Sequence, residues 1–227
     1  MPEAELLPAG GNPTLARTTY DRLRADVLSG RWPPGRKLLM HELREHYEVG
    51  ASPLREALNR LASEEWVVHN DQRGFSVAQA SQADLDDLVE TRVAVESLAL
   101  AQALARRSPQ WEEALVLAFH RLSRTPRSVD PDSYEENPEW ERLHRAFHLA
   151  LLAGCGSPLL LGFCEQLYDR AYRFRQLAAR KSYKRRHELD EHRAIFDAVI
   201  GGQLEQARQL MSEHYRRTAG FFGGGAA

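Results

Sequence analysis

Apolar positions in the first third of the chain recur at helical spacing in three short stretches separated by turn residues. From Thr14, the residues Leu15, Tyr20, Leu23, Val27 and Leu28 fall along one helical face, and Gly30 closes the segment. Arg31-Trp32-Pro33-Pro34-Gly35 reads as a rigid turn and Leu38-Leu39 as a short extended piece. A second helix is predicted from about His41 to Tyr47, with Leu43 and Tyr47 inward, and Glu48-Val49-Gly50 turns into a third. There Ser52 is placed to cap the N-terminus, Pro53 suits the first turn, and Leu54, Ala57, Leu58 and Leu61 form an i, i+3, i+4, i+7 stripe. The opposite face presents Ser52, Arg55, Glu56 and Asn59. Trp66 to His69 and Phe75 to Val77 read as strands on either side of the polar turn Asn70 to Gly74. Helix, helix-turn-helix and hairpin is the order of a winged helix, with the third helix suited to a major groove and the wing to an adjacent minor groove.

From Ser81 the pattern is helical throughout. Ser81 as N-cap and Asp84 in the first turn start a long helix to about Arg107, whose predicted stripe takes in Leu85, Leu88, Val89, Val95, Leu98, Ala99, Ala101 and Leu104. Further helices are predicted at about 110–122, 139–153, 158–180, 185–200 and 203–218. Arg124 to Pro138, with three prolines, is an unusually long loop and is expected to be partly mobile. The expected fold is mainly α: a winged helix-turn-helix of three helices plus a β-hairpin wing over 14–78, then an all-α antiparallel helical bundle over 82–218. Residues 1–13, rich in Pro and Gly, read as a disordered leader, and 219–227 as a flexible tail.

Composition narrows the class without choosing a partner. The 227 residues are 43% hydrophobic and 27% charged, as in a soluble globular protein. No apolar run approaches a membrane span and the Met1-Pro2-Glu3 start lacks a basic signal region, so a cytoplasmic protein with no membrane partner is expected. Cys155 and Cys164 then read as reduced core residues. A formal net charge of −2 argues against indiscriminate coating of nucleic acid. Between Arg17 and Arg73, ten Lys and Arg stand against nine Asp and Glu, so phosphate affinity has to come from where the cations sit.

Candidate chemistry lies in the second half. His144 and His148, at i and i+4, share a helix face, and His192 and His214 lie on two later helices. Imidazoles from three helices meeting in a bundle are a recurrent transition-metal site, but separate surface or hydrogen-bonded histidines fit the spacing as well. Arg92, one turn before Glu96, is open to two readings. Its guanidinium could face the bundle interior and pair with a carboxylate ligand, or form an exposed i,i+4 ion pair worth only ~0.3–0.5 kcal/mol. The basic stretch from Arg170 to Arg186 reads first as a solvated face and loop, with a mouth that attracts anions as the alternative.

The segment GRWPPGRKLLMHEL…VGASPLREALNRLASEEWVVHNDQRGFSV resembles the N-terminal domain of the GntR family of bacterial transcription regulators, over about residues 14–78. The resemblance implies a double-stranded DNA operator as partner and DNA contacts from Arg36, Arg44, Ser52, Arg55 and the wing residues Arg73 and Gly74. Where the family's turn reads V-S-R-[ST]-P-V-R-E-A-L, this chain has Gly50 for the Ser and Ala51 for the first Arg. One bidentate Arg–guanine contact is worth ~1–3 kcal/mol, so the loss should shift operator preference rather than abolish binding. Phe147-His148, with HRAIFDAVIGGQLEQARQLMSEH from His192 to His214, resembles the FCD effector domain of the FadR-type members, over about 82–218. Metal-binding members use an Asp four residues before the first of three His; carried over, the ligands are His148, His192 and His214, with His144 in the Asp position. That gives either a four-nitrogen site or a poorer ligand from the first helix, and a fourth imidazole favours Zn, Ni or Co over Mg, Ca or Mn. Zn or Ni is the cofactor expected. The resemblance also favours Arg92 as the contact to the effector's carboxylate.

The expected function is a homodimeric, ligand-responsive regulator that reads a palindromic operator, to repress or to activate, and responds to a small carboxylate (an organic, sugar or amino acid). Two rivals stand beside it: a metalloenzyme built on the histidines, and a regulator whose bundle only dimerises. No HExxH run and no pair of Glu-x-x-His motifs supports the enzyme, so none is expected.

Overall fold

A computed structural model describes residues 14–70 and 74–223, excepting the side chains of Leu28 and Ser29. The predicted leader (1–13), Arg73 at the wing tip and the last four residues of the predicted tail lie outside it, as does the side chain of Leu28. The chain divides into two units, one ending at Gln79 and the other starting at Ala80.

In the first unit, α1 (Leu15–Ser29) starts at Thr14, whose hydroxyl accepts from the Arg17 N–H, and ends at Gly30 in the left-handed region. Ala16, Tyr20, Leu23 and Val27 are its buried face. Leu15, expected in that stripe, is 58% exposed, because Tyr20, Leu23 and Val27 set a face that continues back through position 16. β1 (Lys37–Leu38), α2 (Met40–Tyr47), α3 (Ala51–Ser63), β2 (Val67–Asn70) and β3 (Gly74–Val77) follow. Leu54, Ala57, Leu58 and Leu61 are the buried stripe of α3, as their spacing requires. The N-cap is Gly50 rather than Ser52: extended backbone at Gly50 starts the helix two residues earlier, with no side-chain cap, so Ser52 lies within the first turn. The left-handed residue of the preceding turn is Glu48, at φ 56°. The expected hairpin is one part of a three-stranded antiparallel sheet, order β1-β3-β2. Lys37 pairs with Ser76 and Leu38 with Phe75, because Gly35, at φ 79°, turns the chain back along β3. The Tyr47 hydroxyl ties α2 to the rest, accepting from Trp32 Nε1 at 2.8 Å and donating to Asp26 at 2.7 Å.

The second unit is a helical bundle: α4 (Gln82–Ala105), α5 (Pro109–Ser123), α6 (Pro138–Leu152), α7 (Pro158–Arg170), α8 (Tyr172–Ser182), α9 (Glu188–Ile200) and α10 (Leu204–Gly223). α4 packs on α7 and α10, α10 on α8 and α9, and α5 on α6 and α9, around a core that includes Leu115, Phe147, Leu151, Ile195 and Val199. Cys155 and Cys164 are buried free thiols in it. Two details differ from expectation, the helix break at Ala171 and the extent of the last helix, and a third concerns the long loop. The single helix predicted over 158–180 breaks at Ala171, and Arg175 then reaches back to bond the carbonyl of Tyr168 in the last turn of α7. The 124–137 loop is held to itself: the Ser128 hydroxyl donates to the carbonyl of Ser133 and accepts from the Glu135 N–H, both at 2.8 Å. The final helix continues through residues 219–223, assigned to the tail.

α4 departs furthest from the expected stripe. Its buried face runs Leu85, Val89, Arg92, Glu96, Ala99, Ala103, with two charged residues in the middle of the stripe, while Leu98 is 51% exposed. The helix starts with a full capping box, the Ser81 hydroxyl accepting from the Asp84 N–H at 3.0 Å and the Asp84 carboxylate accepting from the Ser81 N–H at 3.3 Å. Replacing Ser81 with Ala should cost about 1 kcal/mol and lower the melting temperature of this unit by roughly 2–4 °C. An unchanged melt, followed by circular dichroism, would show that the box contributes nothing.

Candidate metal and effector site

Three helices bring four imidazoles to one point. His144 and His148 come from α6, His192 from α9 and His214 from α10, and each is at least 95% buried. Their ligand-capable atoms all lie within 4.8 Å of one another, and this is the one such His, Cys, Asp or Glu cluster among the described residues. His144 Nε2 is central, 3.0 Å from His148 Nε2 and 3.1 Å from His192 Nε2. Nitrogens ~2.1 Å from a common ion and about a right angle apart have this spacing. The residue in the family's Asp position therefore joins the cluster as a fourth nitrogen donor.

The remaining ring nitrogens are oriented from behind. His144 Nδ1 is 2.7 Å from the Tyr168 hydroxyl. His214 Nδ1 is 2.7 Å from Glu191 Oε2, a carboxylate–imidazole pair that leaves Nε2 free for the centre. Trp140 stacks on the His144 ring at 4.4 Å. Burial, then mutual repulsion among the rings, drives the His144, His148 and His214 pKa values well below the usual range, and burial brings His192 down to about 4. All four are therefore neutral at physiological pH, the state in which imidazole binds a metal.

Around them runs a chain of alternating charge. Arg175 Nη2 lies 3.7 Å from Glu141, and Arg127 bonds both Glu141 and Glu188 at 2.8 Å. Arg186 lies 3.4 Å from Glu188 and makes a two-pronged contact with Glu191, at 3.0 and 2.7 Å. Burial alone raises the Glu188 carboxyl, but Arg127 and Arg186 outweigh it and hold its pKa below the ordinary range. Arg127 also lies over the Trp140 ring, 3.7 Å from its centroid, so the long loop contributes directly to the wall of the site.

Arg92 fits neither sequence reading alone. It does pair with Glu96 at 2.7 Å, but both side chains are at least 95% buried, and Arg92 stacks on Tyr215 at 4.0 Å. Its Nη2 has no hydrogen-bond partner. It lines a cavity of about 20 Å³ with His144, His148, His214, Tyr168 and Arg175. Arg175 and Arg186 lay within the basic stretch read as solvated; the break at Ala171 and the turn before α9 direct them inward. Glu188 and Glu191, one turn and one residue before His192, were the only local hint of the supporting carboxylates.

On the DNA side, Arg36 is paired with Glu42 at 3.2 Å and lies over Trp32. Ser52, Arg55 and Gly74 are exposed, as is Arg44 on α2, and neither Arg44 nor Arg55 has a carboxylate partner among the described residues. Arg73 lies outside the described residues. No helix among the described residues is long and apolar enough to cross a membrane.

The depressed imidazoles give stability a sign. Unfolded histidines take up protons near pH 6.5 while the buried ones do not, so the fold loses stability as pH falls below that value, by up to ~1.4 kcal/mol per pH unit for each group. Chelator-treated protein should melt progressively lower from pH 7 to pH 5.5; a flat profile would mean that the histidines are not buried neutral.

Residues 15–77 match the family described as bacterial regulatory proteins, gntR family, and residues 87–217 match the FCD domain. The chain is 34% identical over 212 residues to the uncharacterized HTH-type transcriptional regulator BphR of Paraburkholderia xenovorans, covering 93% of this chain and 86% of that protein. It is 34% identical over 199 residues to the HTH-type transcriptional repressor GlaR of Escherichia coli, covering 86% and 90%. Among solved structures, E. coli McbR/YncC shares the fold with a TM-score of 0.62 at 21% identity, over 93% of this chain and 98% of that one. The winged helix, the helical bundle and these matches agree: the chain belongs to the GntR family of bacterial transcription regulators, as a member with an FCD effector-binding domain, and is not an enzyme.

Proposed function

We propose that this regulator is a metal-dependent carboxylate sensor that binds a palindromic operator as a homodimer and represses from it. The observation that carries the reading is the convergence of four buried, neutral imidazoles beside the unpartnered Nη2 of Arg92. The donor set fits a divalent transition metal: all nitrogen, with Glu191 behind His214 and Tyr168 behind His144. Bound there, Zn or Ni would act as a Lewis acid toward a carboxylate oxygen. Arg92 would orient that carboxylate through its vacant nitrogen, with Tyr215 and Glu96 fixing the guanidinium plane.

α4 gives the site a route to DNA. It carries Arg92 and starts at Gln82, close to the boundary between the two units at Gln79 and Ala80. A ligand that favours one position of α4 would therefore bias the setting of the reading heads, provided its affinity differs between the two dimer states. Leu98 on α4 and Leu159 and Phe163 on α7, helices that pack together, are exposed apolar side chains that suit a second copy of the chain. Two-fold pairing asks for half-sites about 34–36 Å apart, one turn of DNA. In the reading head, exposed Arg55 is the base-contacting candidate on α3, since Gly50 and Ala51 leave the tip of that helix without a side chain that reaches a base.

Metal analysis of purified protein tests the first half. About one equivalent of Zn or Ni per chain is expected in the wild type and none in the His148→Ala/His192→Ala variant; a metal-free wild type, after growth and refolding with metal supplied, would leave a dimerisation bundle. Replacing Glu191 with Gln should weaken metal binding by about 10–100-fold; an unchanged affinity would remove it from the support of His214. Arg55→Ala should cost ~1–3 kcal/mol of operator binding and relax one base position at fixed salt. Equal affinity across operator variants before and after that change would exclude it from the reading face.

A further inference from the structure

Four imidazoles that are each at least 95% buried can be reached by a metal only if something in front of them moves. The cavity beside Arg92, of about 20 Å³, holds little more than one water. A groove of about 870 Å³ runs along His214, but Arg186 and Glu191 lie in it. That arginine is fixed by four bonds: two to Glu191, one to the Thr218 hydroxyl at 2.8 Å and one to the His214 carbonyl at 2.9 Å. A cleft of about 580 Å³, whose lining includes Trp140, His192, Glu188 and Arg127, is closed differently. At ~30 Å³ per water it has room for a hydrated ion.

Two stacked groups of that lining cover His144. Trp140 lies against the His144 ring, 4.4 Å between centroids and 16° from parallel, and Arg127 lies over Trp140 at 3.7 Å. Exposure rises outward along the stack, from 2% at His144 through 5% at Trp140 to 15% for the Arg127 side chain. Arg127 belongs to the 124–137 loop, and two ion pairs hold it: Nη1 to Glu141 and Nε to Glu188, both at 2.8 Å. Neither carboxylate depends on it alone. Glu141 Oε1 also accepts from Gln176 at 2.7 Å. Its Oε2 faces Arg175 Nη2 at 3.7 Å, two buried atoms without a hydrogen-bond partner that a small shift would join. Glu188 keeps Arg186 at 3.4 Å. Release of Arg127 therefore leaves no buried carboxylate without a cation, which keeps the cost of opening low.

We infer that Arg127 is the gate for metal exchange at the histidine cluster: with its guanidinium on Trp140 the site is shut, and when the guanidinium swings out toward solvent the cleft opens onto Trp140 and His192. The inference rests on the metal-site reading above and adds how the metal enters and leaves. Charge agrees with it. In the closed cleft Arg124, Arg127 and Arg186 outnumber Glu188 and Asp190, which disfavours a divalent cation. Moving Arg127 out of the lining leaves the two arginines balanced by the two carboxylates. A gate lowers the barriers to entry and exit together, so it sets rates and leaves affinity where the ligands put it.

Stopped-flow uptake of Zn by the stripped full-length protein, release of Zn to a chromogenic chelator, and equilibrium competition with that chelator give the two rates and the affinity separately. In Arg127→Gln both rates should rise about 10–100-fold, the value of one hydrogen bond to a charged group, with the dissociation constant within about threefold of wild type. Leu189→Trp, at an exposed position lining the cleft, should slow both rates several-fold, and Arg216→Trp, in the groove along His214, should change neither. Unchanged rates in Arg127→Gln overturn the gate. So does release that quickens while uptake does not, since Arg127 would then be part of the structure that holds the metal. Should Arg127→Gln not fold, Leu189→Trp decides, and rates equal to wild type overturn the route through the cleft. Slowing by Arg216→Trp in place of Leu189→Trp moves the route to the other groove and overturns it likewise. A wild type that takes up no Zn overturns the metal-site reading itself, and the gate with it.

Discussion

Four imidazoles can share a dry space only while all are neutral, and the second unit is arranged around that condition. A single proton on the cluster would place an unpaired cation among His144, His148, His192 and His214 in a low-dielectric core, at a cost of several kcal/mol. The surrounding arginines and glutamates alternate so that no net field favours such a proton, and Arg127, Arg175 and Arg186 reach the glutamates from a loop, a helix and a turn. The 124–137 loop, the break at Ala171 and the turn before α9 are thus positioned by the site as much as by the hydrophobic core. Close packing of Phe147, Leu151 and Ile195 beside the rings fixes the distances that these charges require.

That arrangement explains which parts of the protein could be read from its sequence. Elements whose buried face is wholly apolar were legible: α3 in its stripe of Leu54, Ala57, Leu58 and Leu61, and the winged-helix order around it. The four histidines and Arg92 were legible from their spacing and from the motif they share with a known domain; the structure brings the four histidines together and places Arg92 on the cavity beside His144, His148 and His214. On α4 the apolar stripe placed Leu98 inward and gave no buried place to Glu96, because Arg92 and Glu96 are core residues only as a pair. Arg175 and Arg186 were hidden among exposed basic neighbours. Burial there depends on a helix break that no Gly or Pro marks, at Ala171, so local sequence carried no signal for it.

The reading head shows the complementary case. Its fold follows from short local signals such as the Pro33-Pro34-Gly35 turn and the Gly30 cap, yet the contacts that would give it specificity leave little trace in the chain. Arg36, a plausible phosphate contact by position, is already paired with Glu42 and stacked on Trp32, whereas Arg44 and Arg55 stand exposed. The near-neutral charge of this unit means that sequence-independent attraction to DNA is weak, and placement of a few cations carries more of the binding than their number.

In the proposed mechanism the histidine–arginine site and the reading head are thermodynamically coupled. The direct measurement is fluorescence anisotropy of an operator duplex, recovered by selection from random DNA, titrated with metal-loaded and metal-stripped protein, each with and without a saturating carboxylate. Coupling predicts a change in operator affinity of about 5–150-fold on adding carboxylate to the loaded protein and little or none for the stripped protein. Operator affinity that is the same in all four conditions would contradict it.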